Sequence, residues 1–246
     1  MKIISGDIFV NMLVSAANKL ENAKEAVNKL NVFPVPDGDT GTNMSLTFQK
    51  AVTDASNLSS ATAGKVAKIL ASSSLRGARG NSGVILSQFL RGISKGIGDA
   101  EEMDIKLFAL AIESGKTAAY NAVMKPTEGT ILTVMKALAE KSCEVADSDK
   151  SFAEFMEEII AYGNEILAKT PDMLPKLKQA GVVDAGGKGL MIIFEGMLYF
   201  LKNGKTITRE EKGEDSSKDD EGMILSDEEI TFGYCTEFIK KKKKSG

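Results

Sequence analysis

Residues 7–30 read DIFVNMLVSAANKLENAKEAVNKL, and within them Ile8, Met12, Ala16, Leu20, Ala23, Val27 and Leu30 recur at steps of three or four. An α-helix turns once every 3.6 residues, so these side chains line one face, while Asn11, Lys19, Glu21 and Lys24 cover the rest. The same spacing returns over 42–56, 62–75, 82–95, 104–124, 129–145, 151–169 and 187–202, which gives eight predicted helices of roughly four to six turns. Asp104 and Ser151 stand where N-caps belong, the latter with Glu154 at the capping-box position. No alternating strand pattern interrupts the series. An all-α fold is therefore expected, and βαβ architectures are disfavoured.

The chain has 246 residues, 43% hydrophobic and 26% charged, as an ordinary globular core requires. Its net charge of −3 supplies no positive field to collect phosphates, so nucleic acid is not an expected partner. The His count is zero, which removes Ser-His-Asp and Cys-His schemes, imidazole bases and imidazole metal ligands. Chemistry is left to carboxylates, hydroxyls, amides, backbone N–H groups or a bound metal. Cys143 and Cys235 make no disulfide framework, and no secretory signal is visible. The longest apolar stretch, 190–201, is broken by Glu195 and Gly196 and is too short to span a bilayer. A cytoplasmic protein without membrane insertion is expected.

The composition changes after Lys202. Residues 209–222, REEKGEDSSKDDEG, read as a solvated linker, and ITFGYCTEFI at 230–239 reads as a β-strand. A lone strand has no partners, so the chain is read as an N-terminal piece of a longer protein. The expected organisation is one domain over 1–203, a charged linker over 204–229, and the first strand of a following domain over 230–246. Lys240–Lys244 read as a solvated terminus.

Four segments carry the chemistry. In Asn31–Asn43, NVFPVPDGDTGTN, Pro34 and Pro36 stop helix continuation, Asp37 and Asp39 follow two apart, and a helix then begins. Neighbouring carboxylates repel one another without a cation, and clustered hard oxygens suit Mg²⁺ bridged to substrate phosphates. The bland alternative is an Asp/Gly turn that caps the helix. Leu75–Gly83, LRGARGNSG, has glycines at 77, 80 and 83 with Asn81 and Ser82 at a helix start, a backbone nest that phosphate can approach. An interhelix turn capped by Asn81 or Ser82 explains it equally well. KPTEGT at 125–130 and GVVDAGGKG at 181–189 read singly as capped turns, with Thr130 or Thr127 and Asp184 as caps. If the helices run antiparallel, all four loops meet at one rim around one ligand.

Competing readings fail, except that a D-x-D phosphoryl-accepting aspartate stays open as the weaker one. Counting an EF-hand from Asp37 puts Thr42 and Phe48 where Gly and an acid are needed. A phosphorylated D-x-D aspartate usually ends a buried apolar strand, whereas two prolines precede this one. Gly77–Gly80 matches a GXXG loop, but no strands surround it. Ser114-Gly115-Lys116-Thr117 ends like a Walker A loop, but Leu110 occupies its first glycine position and the segment lies inside a helical pattern.

Taken together, VPDGDTGTNM, GARGNSG, KPTEGT and VVDAGGKG resemble the L-type ATP-binding domain of dihydroxyacetone kinases, and more narrowly the corresponding domain of bacterial fatty acid kinases. The resemblance covers about residues 1–203, and FGYCTEF looks like the opening of the next domain. It implies an eight-helix antiparallel up-and-down barrel that binds ATP and Mg²⁺ at its rim. Asp37 and Asp39 match metal ligands, and Thr40 and Asn43 match nucleotide- and phosphate-contacting positions. Asn81 and Ser82, between Gly80 and Gly83, match the phosphate loop, Thr130 lies in the third loop, and Asp184 to Gly186 match a loop that closes over the nucleotide. Dihydroxyacetone kinases carry a third metal aspartate where this chain has Asn31-Val32-Phe33, so either Asn31 supplies a neutral oxygen or the second metal is held differently. Arg79 either reaches a phosphate or is a plain exposed charge. The implied reaction moves the ATP γ-phosphate to the carboxylate of a fatty acid presented by a carrier protein, and a homodimer of the full-length protein is compatible with it. A carboxylate acceptor is already ionised at neutral pH and needs no base, which agrees with a chain lacking His. Without its missing domains the chain is expected to turn over little or not at all. Two alternatives are a dihydroxyacetone-type small-polyol kinase subunit and a nucleotide-binding module inactive by itself. Cys235 lacks the His partners of a zinc site, so no zinc is expected.

Overall fold

The computed structural model describes residues 1–58 and 61–210. Nine helices and two short strands occur among them: β1 (Ile3–Ser5), α1 (Gly6–Asn28), α2 (Thr40–Ser56), α3 (Ala63–Arg76), α4 (Gly80–Ile97), β2 (Glu102–Asp104), α5 (Ile105–Ala122), α6 (Ile131–Val145), α7 (Phe152–Met173), α8 (Pro175–Ala180) and α9 (Ala185–Asn203). Each long helix packs on its sequence neighbours, α7 packs on α9, and α9 closes the ring against α1. The result is an all-α barrel of eight long helices. The fold matches the all-α expectation, with two additions: the β1–β2 ribbon, antiparallel with Ile4 opposite Met103, and the one-turn helix α8.

Small residues set the spacing of the barrel. A Cβ added at Gly92 would lie 2.3 Å from the Ser114 carbonyl oxygen, and one at Gly96 2.5 Å from the Ala111 Cα. Backbones of α4 and α5 therefore touch, and the falling partner numbers make the pair antiparallel. The interior between the helices is apolar. Phe108, Phe152 and Phe155 cluster with centroids 5.3–6.4 Å apart, and Phe9, Phe48, Phe89, Leu86, Leu190 and Phe194 fill the neighbouring volume.

Boundary differences have local causes. The spacing predicts that α7 stops near 169, yet it continues through Pro171 to Met173. Pro171 has no N–H for the Leu167 carbonyl, and the Thr170 hydroxyl donates to that oxygen instead (2.7 Å). Residues 205–210 lie against α1. Ile207 donates from its backbone to Ser15 Oγ (3.3 Å), Asn18 and Asn22 donate to the carbonyls of Ile207 and Thr208 (2.8 and 3.0 Å), and Glu210 N donates back to Asn22 Oδ1 (3.0 Å). The first residues of the expected linker thus belong to the helical unit. The remainder of that linker, the strand at 230–239, Cys235 and the lysine run lie outside the described residues. Among the described residues, no helix is long and apolar enough to cross a membrane.

Candidate functional site

The segment between α1 and α2 is organised by Asn31, which is only 6% exposed. Its side-chain amide donates to the Val35 carbonyl (2.8 Å). Its oxygen accepts from three donors: Asp39 N (3.2 Å), Thr40 N (3.2 Å) and Thr40 Oγ1 (2.7 Å). Asn28 supports the next residue in the same way, accepting from Thr42 N (3.1 Å) and donating to Thr42 Oγ1 (3.0 Å). Gly41 presses on α1, where an added Cβ would stand 2.2 Å from the Lys24 carbonyl oxygen. The first turn of α2 is therefore capped in trans by two asparagines of the preceding segment.

This arrangement leaves the aspartates free. Asp39 is the N-cap residue of α2 but makes no side-chain capping bond. Neither Asp37 nor Asp39 has an ion pair or a side-chain hydrogen bond among the described residues. Between them Gly38 takes the left-handed conformation at φ 65°, with no foreign atom within 4 Å of its missing Cβ. The Phe33–Pro34 peptide bond is cis.

The glycine loop lies directly against this turn. Gly80 has φ 58°, and an added Cβ would stand 2.3 Å from Asn43 Nδ2. Thr47 Oγ1 accepts from Arg79 N (3.1 Å) and packs against Gly83, while Ser82 Oγ donates to the Thr40 carbonyl (3.5 Å). Helix α4 starts at Gly80, two residues before the predicted start, and its N-cap position falls on Arg79, whose side chain cannot accept a hydrogen bond. Helices α1, α3, α5, α6, α7 and α9 are all capped by a side chain, namely Ser5, Thr62, Asp104, Thr130, Ser151 and Asp184. The amides that open α4 have no such partner. A long helix with bare leading N–H groups, beside two unpartnered carboxylates, is a place where an anion and a cation can be held together.

The other two loops join the same rim but turn their side chains to structural work. Gly129, at φ 79°, fits against Thr170, Met173 and Leu174 at the end of α7. Thr130 caps α6 and donates to the Thr127 carbonyl (2.9 Å), while Thr133 accepts from Gly129 N (2.8 Å) and donates to Glu128 (2.8 Å). Asp184 is 5% exposed and accepts from Gly187 N (2.7 Å) and from the backbone of Ile131, so it caps α9 and ties it to α6. Burial pushes its carboxyl up to about 6 against those two bonds, which act to lower it. Gly186 sits against Ile131, an added Cβ being 3.1 Å from its Cβ. Lys176 of α8 places its ammonium 5.7 Å from the Phe33 ring centroid, which links the helix leading into this fourth loop to the aspartate segment.

The structure thus brings Asp37, Asp39, Thr40 and Asn43 next to Gly80, Asn81, Ser82 and Gly83. Thr130, Asp184 and Gly186 stand on the adjoining sector of the rim, with Asp184 turned inward. Asn31 is beside the aspartates, but its oxygen is engaged by the loop's own donors. Sequence reasoning missed the trans-capping by Asn28 and Asn31, the Thr47 bridge and the Phe33–Lys176 contact. The available signal was the density of Asn on α1, because Asn is a poor helix former that needs a reason to be there.

Comparison with known proteins gives the family and the fold. Residues 34–199 match the family described as the DAK2 domain. Uncharacterized proteins of Staphylococcus aureus strains USA300 and NCTC 8325 / PS 47 are each 45% identical over 248 residues, covering 98% of this chain and 45% of theirs. The chain therefore spans about half the length of the curated relatives it matches. Among solved structures, the native dihydroxyacetone kinase of C. freundii superposes with a TM-score of 0.52 at 14% identity, covering 78% of this chain and 34% of that one. The same enzyme in complex with AMP-PNP and Mg²⁺ gives 0.53 at 13% identity, covering 77% and 33%. At that identity the likeness is one of fold.

Proposed function

The chain belongs to the DAK2 domain family, and from that premise we propose that it is the nucleotide-binding part of an ATP-dependent kinase, with ATP and Mg²⁺ held at the rim. The observation that carries the reading is the juxtaposition of two unpartnered aspartates with the uncapped start of α4. The structural neighbour solved with AMP-PNP and Mg²⁺ supports it as the same fold in a nucleotide-bound state.

The donor set fits Mg²⁺. Among the described residues no three acidic or thiol groups cluster at one point, so the ion would be held by Asp37 and Asp39 and completed by water and phosphate oxygens, the habit of Mg²⁺ in phosphate sites. Asn31 is assigned the role of staple for Asp39 and Thr40 in place of a ligand, because its oxygen already accepts three hydrogen bonds. When bound, Mg²⁺ supplies neutralisation of phosphate charge. The chain's own contribution is positioning. The backbone amides of Gly80, Asn81 and Ser82 would hold the phosphates, and Thr40, Asn43 and the Thr47-anchored turn fix the spacing between the two loops. Thr130 and Gly186 would border the nucleotide, and Asp184 holds the starts of α6 and α9 in place. Phosphoryl transfer is governed mainly by such positioning and charge stabilisation.

For the acceptor we favour the carboxylate of a fatty acid delivered by a carrier protein, which gives an acyl phosphate. The motif set resembles fatty acid kinases most narrowly, and a carboxylate acceptor needs no general base, in keeping with a His count of zero. Docking of that carrier is assigned to the portion of the longer relatives beyond this chain. Hydroxylamine trapping tests the assignment. The longer protein with Mg²⁺, ATP and lipid-loaded carrier yields acyl hydroxamate, and this chain alone yields almost none. ATP consumed with dihydroxyacetone and no hydroxamate would transfer the assignment to a small-polyol kinase.

A further inference from the structure

Glu21 lies on the polar side of α1, with its side chain 11% exposed. One carboxylate oxygen accepts from Lys24 Nζ (2.7 Å) and from Arg209 Nη2 (3.0 Å), and the other accepts from Ser45 Oγ of α2 (2.7 Å). Three parts of the fold meet on this group: the segment 205–210 that follows the last helix, α1, and the helix whose first turn carries Thr40 and Asn43. Lys24 has a second tie to α2, since Gly41 rests on its carbonyl. Burial raises the Glu21 carboxyl, but the hydrogen bonds from Lys24 and Ser45 and the charges of Lys24 and Arg209 outweigh it, and the group is held below the usual glutamate range.

The two ends of the network differ in how easily they let go. Arg209 is 58% exposed, so its guanidinium can pass into water at little cost, whereas Glu21 stays enclosed. The backbone of 207–210 is held by neutral amide and hydroxyl bonds from Ser15, Asn18 and Asn22, each of modest net strength. This is a docked strap, and Arg209 is its side-chain contact with the Glu21 network.

We propose that Glu21 is a positioning residue that couples the docking of segment 205–210 to the first turns of α2, so that nucleotide affinity at the rim depends on whether the strap is seated. The proposal rests on the nucleotide reading of the rim. Coupling of this kind is reciprocal: nucleotide binding tightens the strap as the strap tightens binding.

The test uses the full chain in four forms: wild type, Arg209→Ala, Arg209→Lys, and Asn18→Ala with Asn22→Ala. Calorimetry with Mg²⁺ and AMP-PNP gives affinity, and amide hydrogen exchange without nucleotide gives protection at 40–46 and 205–210. Arg209→Ala and the double variant are expected to bind about fivefold more weakly, at the low end of allosteric couplings, and to exchange faster at 40–46 but not at 131–145. Arg209→Lys, which keeps the charge, is expected to restore most of both. Faster exchange at 205–210 with affinity within twofold of wild type and unchanged exchange at 40–46 would overturn the proposal. Should wild type fail to bind AMP-PNP with Mg²⁺, the rim reading falls; the exchange data, which need no ligand, still decide whether the strap and α2 are coupled.

Discussion

Replacing Asn31 by Ala is the substitution on which the organisation of the aspartate loop turns. Its oxygen serves two backbone amides and one hydroxyl, at 3.2, 3.2 and 2.7 Å, and its amide serves the Val35 carbonyl at 2.8 Å. Asp39 is partly exposed, so water can replace its bond. Thr40 is 9% exposed, and its N–H and hydroxyl would be stranded. An orphaned buried donor costs roughly 1–3 kcal/mol, and two of them with partial relaxation give about 3 kcal/mol. For a chain of this size that corresponds to a fall in Tm of roughly 6–12 °C. The assay is urea unfolding followed by far-ultraviolet circular dichroism, with the slope m unchanged. Asn31→Asp keeps the acceptor and opposes the Val35 carbonyl, so it should lose less than the Ala variant. A loss below about 0.5 kcal/mol for Asn31→Ala, the range of a neutral surface change, would refute the staple assignment.

Other substitutions probe the remaining loops. Gly80→Ala forces a side chain into a left-handed φ of 58° and toward Asn43 Nδ2, 2.3 Å from the added Cβ; a stability loss of about 2 kcal/mol and weaker nucleotide binding are expected in thermal and calorimetric titrations. Burial raises the Asp184 carboxyl from its ordinary 3.8 to about 6. A raised folded pKa means that the native state holds the proton longer, so its stabilising contribution is full below about pH 4 and lost as pH rises through 6. The pKa difference amounts to about 3 kcal/mol. The wild-type minus Asp184→Asn difference in unfolding free energy should therefore fall between pH 4 and 6 and level off above it. A flat difference across that window would show that burial does not govern this carboxyl. Thr170→Val should destabilise by about 1–3 kcal/mol, because the Leu167 carbonyl beside Pro171 and the N–H of Asp184 both lose their partner.

Much of the fold was legible because its determinants are local. The period of apolar residues in 7–30 and its repeats marks helices before any contact is known, and glycines at 80 and 83 or aspartates at 37 and 39 stand out by type. The elements that sequence reasoning missed depend on distant partners. Helix α7 continues through Pro171, where the Thr170 hydroxyl satisfies the freed carbonyl, and nothing in the spacing announces that. Strands of three residues, β1 and β2, are too short for a visible alternation, and they exist because Ile4 and Met103 meet across the fold. Within the site, residue types were readable and their division of labour was not. Asp184 reads as a cap or as a nucleotide contact until its burial and its two amide partners are seen. The three donors to the Asn31 oxygen come from residues eight and nine positions on, and the residue type alone does not announce them.

Metal-dependent nucleotide binding at the Asp37–Asp39 turn is the property on which the proposed kinase role stands. Titration calorimetry of the full chain with ATP, with and without Mg²⁺, on wild type, Asp37→Asn and Asp39→Asn addresses it directly. The predicted result is saturable binding to wild type that requires Mg²⁺, with at least a tenfold loss in each variant, about 1.4 kcal/mol or more, and unchanged helical content. Equal Mg²⁺-dependent affinity in all three proteins would contradict it.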